Sequence, residues 1–396
     1  MILFNSENTR TCLSPSHVLY GDGAAKQVAD ILTARQISQG NLLIVADQEV
    51  VKLGLIEQIM EPLKEADFNV DFFSDIVGEP TLEVANALVD TSRSKPYEAV
   101  IGVGGGSALD MSKLAAALAV NDGAVTDYLG PTRFPINPLP LINVPTTAGT
   151  GAEATAVSML AIEGKKAIVF SSQLVPMGVV LDPLMTMTLP PHVTAATGLD
   201  ALSHGLEAFM SLNASPFTDS QAIITISTVI QWLKTAYNEG DNLNARRAMA
   251  YAAYTGGLSL NAGVVLGHSV AYTISNRAKM PHGVSCAMAL PYTIAFNLQE
   301  CSEKLQSLAN LVLGESENGV PKLIDKVSSL VAELGIPLSL KEIGLQENDL
   351  GGMVEECLSK YPRPTNPSPI TRERLEKFYS FMYDGDVDQC CSYFGG

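Results

Sequence analysis

Positive charge is scarce in this chain. Against 42 Asp and Glu stand 25 Lys and Arg, a formal net charge of −17 at pH 7. Such a surface repels a phosphate backbone and an anionic bilayer, so nucleic acid and membrane are excluded as partners. Cysteine is also sparse. Cys12, Cys286, Cys301, Cys357, Cys390 and Cys391 form no CxxC pair and no regular spacing, which leaves neither a disulfide framework nor a zinc knuckle. Cys390 and Cys391 are expected in a solvent-facing tail. No apolar run is long enough to span a bilayer, and the start, MILFNSENTRTCLSP, lacks a basic stretch followed by an apolar core. A cytoplasmic protein is expected. Charged residues make up 17% of the chain and hydrophobic ones 46%, a balance that excludes general disorder and confines it to the termini. With 396 residues there is room for two domains, each with its own core.

Histidine is rarer still, with five in the whole chain. In TGLDALSHGLE, Asp200 and His204 stand four residues apart among Leu199, Leu202 and Leu206, so a helix would put carboxylate and imidazole on one face. The next histidines are His268 and His282. Any one of the three alone reads as a satisfied core histidine. Together, each beside a glycine in apolar surroundings, they read with Asp200 as a compact site of three nitrogens and one oxygen. A divalent metal held there could act as a Lewis acid on a carbonyl or alkoxide oxygen.

Before this stretch the chain alternates strand and helix patterns. Strands are expected at His17–Tyr20, Leu42–Asp47, Val70–Phe73, Ala99–Val103 and Leu141–Val144, with helices over Val50–Ala66, Leu82–Ser92 and Ala108–Ala119. This predicts a doubly wound parallel sheet. Leu42–Asp47 is a continuous apolar run that ends in a carboxylate, as suits a strand buried on both faces. Ala99–Val103 runs into Gly104, Gly105, Gly106 and Ser107 and then directly into an alanine-rich helix beginning at Ala108. Glycines let the backbone approach an anion, and the helix start offers unpaired N–H groups. The string departs from the Rossmann fingerprint, with Ser107 where the third glycine would stand and a loop that follows a later strand than Asp47. Leu141–Val144 ends in PTTAGTGAEAT, whose Thr146, Thr147 and Thr150 suit the ligand crevice of an open α/β sheet. Further strands are expected at Val157–Ile162, Ala167–Phe170 and Val179–Leu181. From His192 the pattern is helical, including Ala195–Phe209, Pro216–Tyr237, Asn244–Leu260, Gly267–Asn276 and Ser285–Asn297. The expected division is 1–191 and 192–396, with short connections and a cleft between the halves.

The set GGGSALD, PTTAGTGAE, LDPLMTMTLPPHVTAATGLDALSHGLEAF and the pair His268 and His282 with PHG resembles the iron-containing alcohol dehydrogenase family over nearly the whole chain. The resemblance implies a Rossmann-like NAD-binding α/β domain and a helical metal-binding catalytic domain, an architecture shared with dehydroquinate synthase. It implies Fe2+, or Zn2+ in some relatives, on Asp200, His204, His268 and His282. It implies NAD on Asp47, the loop Gly104 to Ala108, Thr146, Thr147, Thr150 and Lys166, and assembly into a homodimer or higher oligomer. The chain departs from the family in carrying Tyr272 where many relatives have a histidine thought to relay a proton, and Glu79 before Pro80-Thr81 where an asparagine is typical.

The expected activity is NAD-linked interconversion of a small primary alcohol and its aldehyde, with the metal polarising the oxygen. Two alternatives are a hydroxyacid-oxoacid transhydrogenase and a reductase of a small anionic aldehyde. A dehydroquinate synthase-like lyase fits the motifs less well. Asp47 predicts NAD over NADP, because its charge opposes a 2′-phosphate. Tyr272, one helical turn after His268, is expected beside the metal with an ordinary pKa of about 10. Arg277 and Lys279 read either as solvated charges or, if one turns inward, as the partner of an anionic substrate end.

Overall fold

The structure, a computed structural model, describes residues 9–314 and 318–395. The first eight residues of the amino-terminal stretch considered above lie outside it. The chain forms two units, Leu13–Leu189 and Pro190–Gly396, the latter joined by residues 9–12.

The first unit runs β1 (His17–Tyr20), α1 (Val28–Thr33), β2 (Gly40–Asp47), α2 (Gln48–Lys52), α3 (Glu57–Glu65), β3 (Phe68–Ile76), α4 (Leu82–Arg93), β4 (Ala99–Gly104), α5 (Gly106–Leu118), β5 (Gly130–Pro131), β6 (Leu141–Pro145), β7 (Val157–Ile162), β8 (Lys165–Phe170) and β9 (Gly178–Leu181). Six strands make one sheet in the order β1-β9-β6-β4-β2-β3, every pair parallel. The apolar runs become central strands because both faces are covered. Leu43, Val45 and Val100 join a core with Leu88 of α4 and Met111 and Leu114 of α5. Their neighbours Leu42, Ile44, Ala46 and Ile101 join the opposite core with Ile31 of α1 and Ile59 and Leu63 of α3. The two-residue alternation of a strand thus feeds both cores. β5, β7 and β8 form a separate three-stranded sheet.

One helix expected over Val50–Ala66 is two. α2 ends in a turn where the Leu55 N–H bonds back to Val50 O at 3.1 Å and the Gly54 N–H to Val51 O at 3.0 Å, a closing pattern that stops a helix.

Register fixes the functional edge. β2 pairs with β4 up to Ala46 and Val103, and β4 with β6 up to Gly104 and Pro145. Asp47, Gly105 and Thr146 therefore leave the sheet together. The chain passes from β3, on one side of β2, to β4 on the other, so this edge is where the winding reverses and where open α/β sheets bind ligands.

Among the described residues the second unit contains no strand. It holds α6 (Pro191–Met210), α7 (Pro216–Asn238), α8 (Leu243–Ser259), α9 (Leu266–Ala278), α10 (His282–Phe296), α11 (Leu298–Leu313), α12 (Gly319–Glu333), α13 (Leu350–Ser359), α14 (Arg372–Asp384) and α15 (Val387–Phe394). Every residue of α10 from Ser285 to Phe296 is buried. A helix apolar all round belongs at the centre of a bundle, and each large side chain such as Leu290, Ile294 or Phe296 contributes ~2 kcal/mol by its burial. α6, α9, α12, α14 and α15 surround it. The carboxyl-terminal stretch is no solvent-facing tail. Cys390 is fully buried on α15, because that helix packs against α10 and α14.

Candidate metal centre and cofactor loops

On α6, His204 Nε2 lies 3.7 Å from Asp200 Oδ1, as the four-residue spacing predicts. α9 adds His268, whose ring centroid is 5.2 Å from that of His204. α10 adds His282 at its first turn, 5.3 Å from His268. One ligand atom each from Asp200, His268, His282 and Cys286 lie within 4.8 Å of one another. Asp200, His204 and His268 are buried. Atoms that share one metal at bond lengths of ~2.0–2.3 Å stand at comparable separations, so the donor set fits a divalent transition metal. The approach of α10 to α6 depends on Gly283, where a Cβ would stand 2.1 Å from Ala196 O.

Two groups at this cluster were not singled out from the sequence. Cys286, one turn beyond His282, puts its Sγ 3.5 Å from His282 Nε2. Glu207 is 1% exposed, and its Oε1 is 2.6 Å from His268 Nδ1. Its Oε2 accepts from the Val265 and His268 amides at 2.9 and 3.3 Å. A carboxylate on Nδ1 fixes the imidazole with its Nε2 lone pair available to a metal. The signal was Glu207 standing three residues after His204, on the same helical face.

Tyr272 does reach the cluster, but its ring stacks on His282, at 5.3 Å and 16°, and packs against Tyr361 at 4.9 Å. Its phenol departs from the ordinary value. Burial pushes it up to about 12, against the opposing pull of Arg363. It therefore stays protonated near neutral pH and offers an O–H donor. Arg277 turns to Glu356, at 2.6 Å, and to Thr273 O at 3.1 Å. Its charge is already answered. Lys279 is exposed and ends α9 in a left-handed conformation.

In the sheet unit the expected cofactor residues converge. Asp47 Oδ2 accepts from the Gly105 N–H at 3.2 Å, while its Oδ1 caps α2 through the Val50 N–H at 2.9 Å. Gly104 has φ 151°, and a Cβ there would lie 2.6 Å from Asp47 Oδ2 and 2.7 Å from Ala108 Cβ. Only glycine suits that position. The Thr146 N–H bonds to Gly104 O at 2.9 Å, and Thr147 and Thr150 lie against Gly105 and Gly106. α5 opens at Gly106, with Ser107 in its first turn and no side chain capping its start, so its first amides face the loop as an anion would require. Lys166 and Glu79, the latter one of the chain's departures from the family pattern, stand 3.8 Å apart.

Behind the threonine loop lies a second group that sequence reasoning passed over. Glu153 is 1% exposed and its Oε1 finds no hydrogen-bond partner. Burial pushes its carboxyl up to about 7. Nearby, Lys113 is buried and bonds to Asp110 Oδ1 and Thr155 Oγ1, each at 3.0 Å. Its charge opposes that rise without cancelling it.

A parallel-sheet unit with a glycine loop at its winding switch, and a helical unit with a His-and-carboxylate cluster, define a metal-dependent dinucleotide oxidoreductase. Known proteins agree. Residues 15–183 match the family described as iron-containing alcohol dehydrogenase, and residues 194–383 match its C-terminal part. The chain is 35% identical over 382 residues to Long-chain-alcohol dehydrogenase 1 of Geobacillus thermodenitrificans, covering 94% of this chain and 96% of that one. Its fold is similar to that of a 1,3-propanediol oxidoreductase, with TM-score 0.89 and 29% identity over 95% of this chain and 100% of the other. It is also similar to sulfoacetaldehyde reductase from Bifidobacterium kashiwanohense in complex with NAD+, with TM-score 0.87 and 30% identity over 95% and 99%. The chain belongs to the iron-containing alcohol dehydrogenase family. It is an oxidoreductase, as its motifs implied. Among the described residues no helix is long and apolar enough to cross a membrane.

Proposed function

We propose that Asp200, His204, His268 and His282 hold the working metal, Fe2+ with Zn2+ also accommodated, and that Asp47, Gly104 to Ala108, Thr146, Thr147, Thr150 and Lys166 hold NAD. On this reading residues 1–191 bind the cofactor and residues 192–396 carry catalysis. The observation that carries it is the Glu207-fixed imidazole of His268 beside the Asp200–His204 pair. When bound, the metal supplies a Lewis acid for the substrate oxygen and NAD exchanges hydride with the substrate carbon of a small primary alcohol or its aldehyde. The chain's residues do the rest. Glu207 holds His268 in one tautomer, Asp47 opposes a 2′-phosphate, and Tyr272, protonated at neutral pH, offers a hydrogen bond to a substrate oxygen.

The divalent affinity order favours zinc over ferrous ion, and the Cys286 thiol adds a soft donor that strengthens that bias. Anaerobic reconstitution tests the metal. Fe2+ is expected to restore more NAD-linked turnover than Zn2+; equal or greater turnover with zinc would reject iron. A homo-oligomer is supported by Val18 and Tyr20, exposed on the edge strand β1. Sedimentation reads it directly, a monomer being the contrary result. The cytoplasm is the compartment proposed, on six cysteines that form no CxxC pair and no regular spacing.

A further inference from the structure

The segment after α13 places a guanidinium beside Tyr272, the neighbour of His282. Arg363 lies between Pro362 and Pro364 on a stretch tied down on both sides. Ser269 Oγ donates to Tyr361 O at 2.6 Å, and Thr365 Oγ1 donates to Val264 O at 2.6 Å. Thr365 O accepts from the Leu212 N–H at 2.9 Å, and Asn366 Oδ1 from the Leu266 N–H at 3.1 Å. Two flanking prolines stiffen the stretch further. So held, the Arg363 guanidinium carbon stands 5.8 Å from the centroid of Tyr272, the ring that stacks on His282.

Its donors are hardly used. Nε is buried and finds no acceptor. Among the described residues Nη1 bonds only to the carbonyl of the preceding residue, Pro362, at 3.4 Å. Among the described residues Arg363 makes no ion pair, whereas nearby bases do. Arg277 and Lys360 share Glu356, and Arg372 pairs with Glu355. A guanidinium kept partly out of water with donors to spare is a binding group for a planar or tetrahedral oxyanion. In a chain of net charge −17, such a local cation is what an anionic substrate needs against the general repulsion.

We propose that Arg363 binds the anionic end, a carboxylate or sulfonate, of a short-chain aldehyde whose carbonyl is reduced at the His268–His282 cluster. This rests on the alcohol–aldehyde reading above and narrows its substrate class. Tyr272, in contact with both Arg363 and His282, then lines the pocket alongside the substrate chain.

The test uses the metal-loaded full-length protein with NADH, comparing succinic semialdehyde with butanal in wild type and Arg363→Met. Wild type is expected to prefer succinic semialdehyde in kcat/KM. The variant is expected to lose on the order of 30-fold for it, mainly through KM, a loss within the range of a charged hydrogen bond removed, with under about 3-fold change for butanal. Arg363→Lys should recover part of the loss. A preference for butanal in wild type, or an equal loss on both aldehydes in the variant, overturns the proposal. A second measurement, calorimetric binding of propane-1-sulfonate, does not depend on turnover. Binding in wild type that weakens with salt and in Arg363→Met supports the site, and no binding in wild type overturns it. If neither aldehyde is reduced, the alcohol–aldehyde reading fails, and the sulfonate result still decides Arg363.

Discussion

Replacing Glu207 by glutamine separates metal holding from folding. The carboxylate makes three contacts at once: Oε1 with His268 Nδ1 at 2.6 Å, and Oε2 with the amides of Val265 and His268 at 2.9 and 3.3 Å. An amide has one oxygen and one NH2, so in either orientation a donor meets a donor on one side. If the NH2 faces His268, the ring must turn or change tautomer, and Nε2 is no longer presented. If it faces the backbone, two buried N–H groups lose their acceptor. Either way the carboxylate that makes His268 a better ligand is gone, and second-shell changes of this kind weaken metal binding by ~10–100-fold, or about 1.4–2.8 kcal/mol. Competition against a chelator of known affinity measures this, with Zn2+ as probe because it is stable in air. Thermal unfolding of the metal-free protein provides the control. The expected result is a 10–100-fold higher dissociation constant, far beyond what the metal-free stability change accounts for. An unchanged dissociation constant in a folded variant would refute the claim that Glu207 orients a metal ligand.

His268→Ala is expected to abolish tight metal binding and turnover while the circular dichroism of the helical unit persists, since its core is built on α10; retained stoichiometric metal would contradict this. Asp47→Asn removes the charge and keeps the cap on Val50 only by turning its NH2 toward the Gly105 N–H, so the ratio of kcat/KM for NAD over NADP should fall by about tenfold together with a stability loss of about 1 kcal/mol, and an unchanged ratio would mean that Asp47 does not face the ribose. Glu153 yields a pH signature. Its carboxyl is raised from 4.5 to about 7 in the fold, so the unfolded chain releases this proton first and stability falls as pH rises between those values. By linkage the loss is ~3 kcal/mol by about pH 8, and Glu153→Gln should remove most of that slope in urea unfolding. Parallel slopes in wild type and variant would show that Glu153 is charged in the fold.

What the sequence made legible was whatever depends on local spacing. The Asp200–His204 pair follows from one helical turn, and Asp47, Gly104 and Thr146 from the ends of apolar strands that register then aligns. Less legible were contacts between distant elements. Glu207 meets His268 across 61 positions, and Arg363 meets Tyr272 across a proline-flanked segment with no periodic pattern. Arg277 read as a candidate partner of an anionic substrate end, and Glu356 of α13, 79 positions away, neutralises it. Cys390 shows the same limit from the other side. Two adjacent cysteines near the end look like a tail, and only the packing of α15 on α10 makes one of them core.

The central claim is that one metal sits on four particular side chains of the helical unit, and crystals of the anaerobically Fe2+-loaded protein test it most directly. An anomalous difference map recorded on either side of the iron edge is predicted to show one strong peak at bonding distance from Asp200, His204, His268 and His282. A peak bonded to Cys286 in place of His204, or lying outside this cluster, would contradict it.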